Sequence, residues 1–391
     1  MSFREMSSVI RRLCFVKLAL KAQQNMAQLC RLFGISRKRG YKWKQRFERE
    51  GLAGLRDRSR RPQRSPRQIS PKWLLRIRRI RRRHRSWGSR KLAAGLRREF
   101  PGEHVPAART IGKWLKMMKL SRRPSRRYRR GPQLKPGSLT VARRSNQVWT
   151  VDFKGWFRTR NGQPVYPLTV RDLFSRYLLS VRLLKHSHWM VVKRIFLRLF
   201  RDNGYPKIIR VDNGPPFGST GPLGLSRLSA WWTALGIRVE FIAPGHPEQN
   251  AGHEQMHRVF KAETTQPPSR NPRAQQRRID RWVGIYNRVR PHQGLGQRRP
   301  AELYHPCRST QLRKILLKYS SRWEVRRVRS NGQIKWRGRK RFIGEAFVGY
   351  PIGLKLADKG RYAVCFAGLV IGELWDSDAE GMRPAKYKRR F

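Results

Sequence analysis

The chain has 391 residues, with 91 Lys and Arg against 23 Asp and Glu, and a formal net charge of +68. A charge of that size repels itself in a compact monomer unless a polyanion accompanies it, which sets aside an ordinary metabolic enzyme and makes nucleic acid the expected partner, with a membrane surface the weaker alternative. A hydrophobic content of 38%, with 13 Trp and 17 Phe, excludes a wholly disordered basic protein and leaves room for roughly two to four domains.

At the N-terminus, basic residues precede Leu13–Leu20, but Cys14 and Lys17 interrupt the stretch, so no signal peptide is expected. Met26–Phe33 has helical apolar spacing. Gly34 supplies a stop, Ile35 an anchor, and Ser36 an N-cap for a second helix over 37–50. That helix is expected to bury Tyr41 or Trp43 with Phe47 and to expose Arg37, Lys38, Lys42, Lys44 and Arg46. The pattern over 1–62 is helix-turn-helix, and the basic N-terminal half of its second helix suits the DNA major groove. A helical hairpin with a solvated basic face is the plainer alternative.

Arg58 to Pro66 reads as a linker. Residues 66–122 read as a second helical DNA-binding domain. In it Trp73, Leu74, Ile77 and Ile80 share one face amid arginines, another helix starts near Trp87, and a third runs over 110–120 with Ile111, Trp114, Leu115 and Met118 inward. A proline- and arginine-rich linker is expected over 123–144. The charge is not a tail: residues 1–150 hold 44 Lys and Arg against 6 Asp and Glu (+38), and residues 151–391 hold 47 against 17 (+30).

The middle of the chain alternates strands and helices. Val148–Phe153 is a β-rich run carrying Asp152, and Arg158–Gln163 looks like a hairpin turn. Strands are expected over 165–170 and 177–183, a helix over 188–202, and a strand over 207–211 that ends on Asp212 before Asn213-Gly214-Pro215-Pro216. A helix over 225–236, a strand over 239–243, a loop over 244–250 and a helix over 252–263 bearing Glu254 follow. Gln266–Pro272 reads as a break or as a loop inside a domain. Carboxylates at two strand ends and on one helix can converge as hard oxygen ligands for Mg²⁺ or Mn²⁺, and a metal pair of that kind acts on phosphodiesters.

The other acids of this region have duller expected roles. Asp172, near Arg171 and Arg176, reads as a structural ion pair, Asp202 as a helix-end residue, and Glu248 as a residue that positions substrate. His246, His253 and His257 cluster around Glu254, but no cysteine joins them into a zinc site, so DNA-facing or supporting roles are expected. Asn250 and Lys261 are placed to touch phosphate or bases, Lys261 lying about two turns beyond Glu254 along its face.

From Trp323 the pattern becomes alternating, with Asn331-Gly332 as a hairpin turn and short apolar runs up to Ile371. A small SH3-like β-barrel is expected over 320–376. Arg326, Arg327, Arg329, Lys335, Arg337, Arg339, Lys340 and Arg341 would give it a basic face for DNA, with a protein–protein role as the alternative. Lys386–Phe391 reads as a basic tail. Cys14, Cys30, Cys307 and Cys365 have no metal or disulfide spacing and read as free thiols in a reducing cytoplasm. No apolar run reaches the roughly 18 residues of a membrane span.

Three motifs in order carry a resemblance. Trp149-Thr150-Val151-Asp152-Phe153, Val211-Asp212-Asn213-Gly214-Pro215, and Pro244–Asn250 followed by His253-Glu254 resemble the D-D-E core of bacterial insertion-sequence transposases, in the retroviral-integrase superfamily. Tyr286–His292 with Pro300-Ala301-Glu302 resembles the segment that closes that core. The resemblance implies a multidomain α+β protein with an RNase H-like core over 145–305 and Asp152, Asp212 and Glu254 as catalytic metal ligands. It also implies cleavage at transposon ends and joining of a 3′-hydroxyl to target DNA. Terminal-repeat and target DNA are the implied partners, a homo-oligomer the implied state, and the bacterial cytoplasm at the nucleoid the implied location. The chain departs from the family in carrying Ala251 where Gly usually follows the Asn of the third motif, a costly change if that position needs positive φ. A catalytically degenerate helix-turn-helix regulator is the alternative reading.

Overall fold

The computed structural model describes residues 8–21, 24–58, 70–121, 139–307, 315, 317–378 and 381–385. The expected linker beyond Arg58, residues 122–138 of the second linker region, and the tail Lys386–Phe391 lie outside them. The chain divides into two compact units, Met1–Ile69 and Ser70–Phe391.

In the first unit, helices α1 (Ser8–Ala19), α2 (Met26–Leu32) and α3 (Arg37–Glu50) enclose Phe15, Val16, Leu29, Cys30, Phe33 and Leu55. Gly34 turns the chain at φ +63°, and the Ser36 hydroxyl accepts from the Arg39 amide to cap α3. Gly40 is buried where α3 crosses its neighbours. A Cβ there would lie 2.5 Å from Cys30 Sγ and 2.8 Å from Phe15 Cζ, so only glycine allows the approach. Helix α1 is a correction to the sequence reading, in which Leu13–Leu20 figured only as an interrupted apolar stretch. Phe15 and Val16 face inward, while Arg12 lies over the Trp43 ring at 4.0 Å. Trp43 and Phe47 pack on this core, and Tyr41 is the exposed one of the two candidates.

The second unit opens with α4 (Lys72–Arg83), α5 (Ser89–Glu99) and α6 (Ala108–Met117), packed through Trp73, Ile77, Leu92, Leu96, Ile111 and Leu115. One arginine of α4 is not on its solvated face. Arg81 is buried, donating to the Leu120 carbonyl at 2.8 Å and the Trp87 carbonyl at 2.7 Å, because a guanidinium can close several otherwise open carbonyls at once.

A mixed sheet follows. Its strands are β1 (Val148–Phe153), β2 (Phe157–Arg158), β3 (Pro164–Asp172), β4 (Leu178–Leu184), β5 (Ile208–Val211) and β6 (Arg238–Phe241). The order is β2-β3-β1-β5-β6, with β4 on β3. β1 pairs antiparallel with β3 and parallel with β5, and β6 extends the parallel half. Helices α7 (Trp189–Asn203) and α8 (Arg227–Ala234) cover one face through Val192, Phe196, Leu199, Phe200, Trp231 and Trp232. Helices α9 (Ala251–Thr264) and α10 (Pro272–Arg288) cover the other through Met256, Phe260, Ile279, Trp282 and Tyr286, against Leu178 and Val181. Gln266–Pro272 is the loop between α9 and α10.

The C-terminal region holds β7 (Glu324–Arg327), β8 (Gln333–Trp336), β9 (Arg339–Phe342), β10 (Pro351–Asp358), β11 (Arg361–Phe366), β12 (Leu369–Trp375) and β13 (Arg383–Pro384). It is not a closed barrel. Five strands form an open sheet, β13-β12-β11-β10-β7, and β8 and β9 form a separate ribbon. The chain does turn at Asn331-Gly332, but β7 pairs with β10 and β8 with β9, so β7 and β13 stay edges. Among its expected basic face, Arg341 is buried. The apolar interior of this sheet runs on into the α7–α8 side of the mixed sheet as one cluster, with Ile334, Phe347, Ile352 and Phe366 in the same body as Trp231 and Trp232.

Candidate active site

Asp152 and Asp212 meet because of strand register. β1 and β5 run parallel with Val148 beside Ile208, Trp149 beside Ile209 and Thr150 beside Arg210. Continued two residues, that register sets Asp152 level with Asp212, just past the end of β5. Neighbouring strands lie about 4.8 Å apart, so two acids end up side by side at the open edge of the sheet. Burial, and then the charge of Asp212, push the Asp152 carboxyl up to about 7. Burial also raises Asp212, against the pull of the Gly214 amide, although the residue keeps solvent access.

The third motif approaches from α9. Asn250, at the N-cap of α9, donates from Nδ2 to Asp152 Oδ2 at 3.0 Å. Ala251 is the first residue of the helix and is not among the positive-φ residues, so the departure from glycine carries no backbone strain. Gly252 is the position where space is short. A Cβ there would sit 2.7 Å from Arg171 Nη2, and Arg171 Nη1 donates to the Gly252 carbonyl at 2.5 Å.

Beneath the acids lies a buried polar cluster that sequence reasoning had left as a loose histidine group. The Thr169 hydroxyl donates to the Asp152 carbonyl at 2.9 Å and meets His253 Nε2 at 2.7 Å and His257 Nε2 at 2.9 Å. A hydroxyl has one proton, so with that proton spent on Asp152 both imidazoles must donate from Nε2. His253 Nδ1 then accepts from Thr150 Oγ1 at 3.0 Å. Both rings are neutral: burial, reinforced by the Lys154 and Arg171 charges, holds His257 down at about 3, and burial with the Arg171 charge holds His253 well below the usual range. His257 Nδ1 is 3.9 Å from Asp152 Oδ2. The i, i+4 spacing of the two histidines was the available signal that they share a face.

Glu254 is exposed on the first turns of α9. Asp152 and Asp212 are brought together; Glu254 is not gathered with them, and among the described residues no three His, Cys, Asp or Glu side chains lie close enough to hold one ion. Lys261 is exposed farther along α9. In the first unit Arg37, Lys38 and Lys42 are exposed, Lys44 and Arg46 half-buried.

The other acids of this region whose side chains the structure describes are spoken for, and the Glu248 side chain lies outside the described ones. Asp172 is not an ion pair: it is fully buried and accepts from the Asn146 amide at 2.8 Å, the Ser175 amide at 2.8 Å and the Ser175 hydroxyl at 2.6 Å, while the neighbouring Arg171 guanidinium is drawn to Gly252. Asp202 lies in the last turn of α7 before Gly204. Glu240 bridges Arg210 and Arg238, and Glu263 on α9 binds Arg290 at 2.7 Å and the Trp282 indole at 2.6 Å.

Comparison with known proteins gives matches over much of the chain. Residues 142–247 and 235–300 match integrase core domains, and residues 11–63 match a helix-turn-helix domain. Residues 39–115 match a homeodomain-like domain, and residues 323–376 match the C-terminal domain of IS481 family transposases. The insertion element IS407 31.7 kDa protein of Burkholderia multivorans is 31% identical over 227 residues, 58% of this chain and 78% of that protein. The insertion element IS476 39.2 kDa protein of Xanthomonas euvesicatoria is 29% identical over 229 residues, 58% of this chain and 63% of that protein. The HTLV-2 integrase catalytic core domain, solved with magnesium, superposes on 42% of this chain and 100% of its own at 17% identity and a TM-score of 0.32. With its ordered motifs on a mixed sheet, and with an insertion-element relative matched over most of its length, the chain belongs to the insertion-sequence transposases with a retroviral-integrase-type catalytic core.

Proposed function

We propose that the chain cuts DNA at the ends of its mobile element and joins the freed 3′-hydroxyl to target DNA, with Asp152, Asp212 and Glu254 holding Mg²⁺ or Mn²⁺. The level pairing of Asp152 with Asp212 carries this reading. Two carboxylates, each with its proton affinity raised by burial and Asp152 further raised by Asp212, are short of a counter-charge, and hard oxygens of this kind suit a small dication. Once bound, such an ion polarises a phosphodiester and lowers the pKa of an attacking hydroxyl. Glu254 belongs to the set through α9. Asn250, four residues before it, and His257, three residues after it, both reach toward Asp152, so Glu254 lies on the stretch of α9 that approaches the acids, its side chain exposed in this structure.

The chain's own groups prepare that centre. Asn250 fixes the orientation of the Asp152 carboxylate, and Thr169 ties down the backbone that carries it. Because His253 and His257 are neutral, neither imidazole sets a positive charge beneath the acids to compete with a cation. Arg37, Lys38, Lys42, Lys44 and Arg46 are the proposed major-groove set, with Asn250 and Lys261 nearer the cleaved bond. Two DNA ends must meet for joining, so a homo-oligomer on DNA at the bacterial nucleoid is part of the proposal. Strand transfer on duplexes bearing the element's ends, with Mg²⁺, tests it. Asp152→Asn and Asp212→Asn should each lower the rate on the order of 10²–10³-fold with DNA binding retained, and unchanged rates would overturn it.

A further inference from the structure

The segment just beyond Asp152 has a shape that its neighbours do not explain. Asp152 stands opposite Thr169 and Phe153 opposite Leu168, and the Lys154 amide donates to the Pro167 carbonyl at 3.0 Å. Pairing resumes with Phe157 opposite Val165. Gly155 and Trp156 therefore face the single residue Tyr166: one extra residue has been inserted, with Gly155 at φ +79°. Such bulges re-aim a side chain and recur beside active sites.

Here the side chain thrown outward is an indole. Trp156 is 57% exposed, among the most solvent-open large apolar side chains described, and the Arg158 guanidinium lies 5.5 Å from its ring centre. Lys154, two residues before Trp156 in the chain, is half-buried, and its charge is felt by both Asp152 and His257. A strand rises about 3.3 Å per residue, so Trp156 sits on the order of 10 Å along the chain from Asp152, a span of two or three nucleotides. A largely exposed indole with a guanidinium over its ring and a second cation two residues away in the chain suits one unpaired base with phosphates on either side, and such stacking is sequence-tolerant because every base has a π-face.

We propose that the bulge Lys154–Arg158 is a binding site for an unpaired nucleotide of the DNA strand, Trp156 stacking on its base and Lys154 and Arg158 meeting the adjoining phosphates. This rests on the strand-cleaving reading above and adds that the DNA end is frayed when it is held. The probe is a forked duplex with a four-nucleotide unpaired 3′ arm carrying 2-aminopurine at each arm position in turn. It is bound by the full chain in EDTA, so that the signal does not depend on cleavage. At one or two positions the full chain should quench 2-aminopurine; Trp156→Phe should retain the quench, and Trp156→Ala should lose it and bind the fork roughly tenfold more weakly while binding plain duplex as before. Equal quenching by Trp156→Ala, or no quenching at any position, overturns the site. Strand transfer by the full chain with Mg²⁺ is scored separately: its absence counts against the strand-cleaving reading, whereas the fluorescence result decides the bulge.

Discussion

At the scale of single residues, the candidate site is organised from beneath by one buried hydroxyl. Thr169 satisfies three partners with one hydroxyl. Thr169→Val is nearly isosteric but leaves two buried imidazole N–H groups without an acceptor. Each orphaned donor costs about 1–3 kcal/mol, so urea unfolding should show a loss of several kcal/mol, with Thr169→Ser close to the parent. Asp152 illustrates the opposite tension. Its carboxylate is disfavoured by burial and by Asp212, so Asp152→Asn should stabilise the metal-free protein by on the order of 2 kcal/mol in the same experiment, even as strand transfer is lost. A metal-free Asp152→Asn protein that melts below the parent would show that the two acids do not repel as argued.

Among elements, legibility followed range. Val148–Phe153 and Ile208–Val211 were readable because β-branched runs end at turn residues, and the carboxylates at their ends marked a candidate site without any knowledge of register. Helix α1 was not readable, since Arg11, Arg12 and Lys17 hide an inward pair, Phe15 and Val16, that Leu29, Cys30, Phe33 and Leu55 complete from elsewhere in the chain. Closure of the C-terminal sheet was also beyond local pattern. The turn at Asn331-Gly332 is where it was expected, yet β7 finds its partner in β10, more than twenty residues on. The same holds for Arg81, read as one more arginine around the apolar face of α4, and for Asp172, read as an ion pair; the partners of both are backbone and hydroxyl groups. Gly40 gives a test at this scale. Gly40→Ala would normally favour a helix, but here it should destabilise the first unit by about 1–3 kcal/mol, read from its thermal unfolding, because the methyl meets Cys30 and Phe15.

Over the whole molecule, the charge of +68 sets how DNA is held. Each phosphate neutralised releases counterions, so affinity for duplex DNA should fall on the order of 10³-fold or more between 50 and 200 mM salt, and a flat log–log plot would contradict a phosphate-dominated interface. Acid works in another way. Burial and the Arg290 charge hold the His292 imidazole down at about 3, far below its ordinary value of 6.5. The unfolded chain therefore takes up that proton first, and the stability present above about pH 6.5 drains away as the pH falls below it. His292→Gln keeps an N–H for the Tyr286 carbonyl and removes the titration, so its loss of stability between pH 7.5 and 5.5 should be smaller than the parent's by about 1 kcal/mol.

The apolar interior shared by the C-terminal sheet and the α7–α8 face of the catalytic core bears on how such a protein diverges. The Leu223 amide bonds the Ala385 carbonyl, and Arg227 pairs with Glu345, so polar contacts also join the two regions. Recombination that exchanged residues beyond about 320 for those of a distant relative would set unmatched surfaces against Trp231 and Trp232. The C-terminal sheet should therefore be inherited with the core as one block. The helix-turn-helix unit, which has an interior of its own, is the part free to be traded for another that reads a different DNA end.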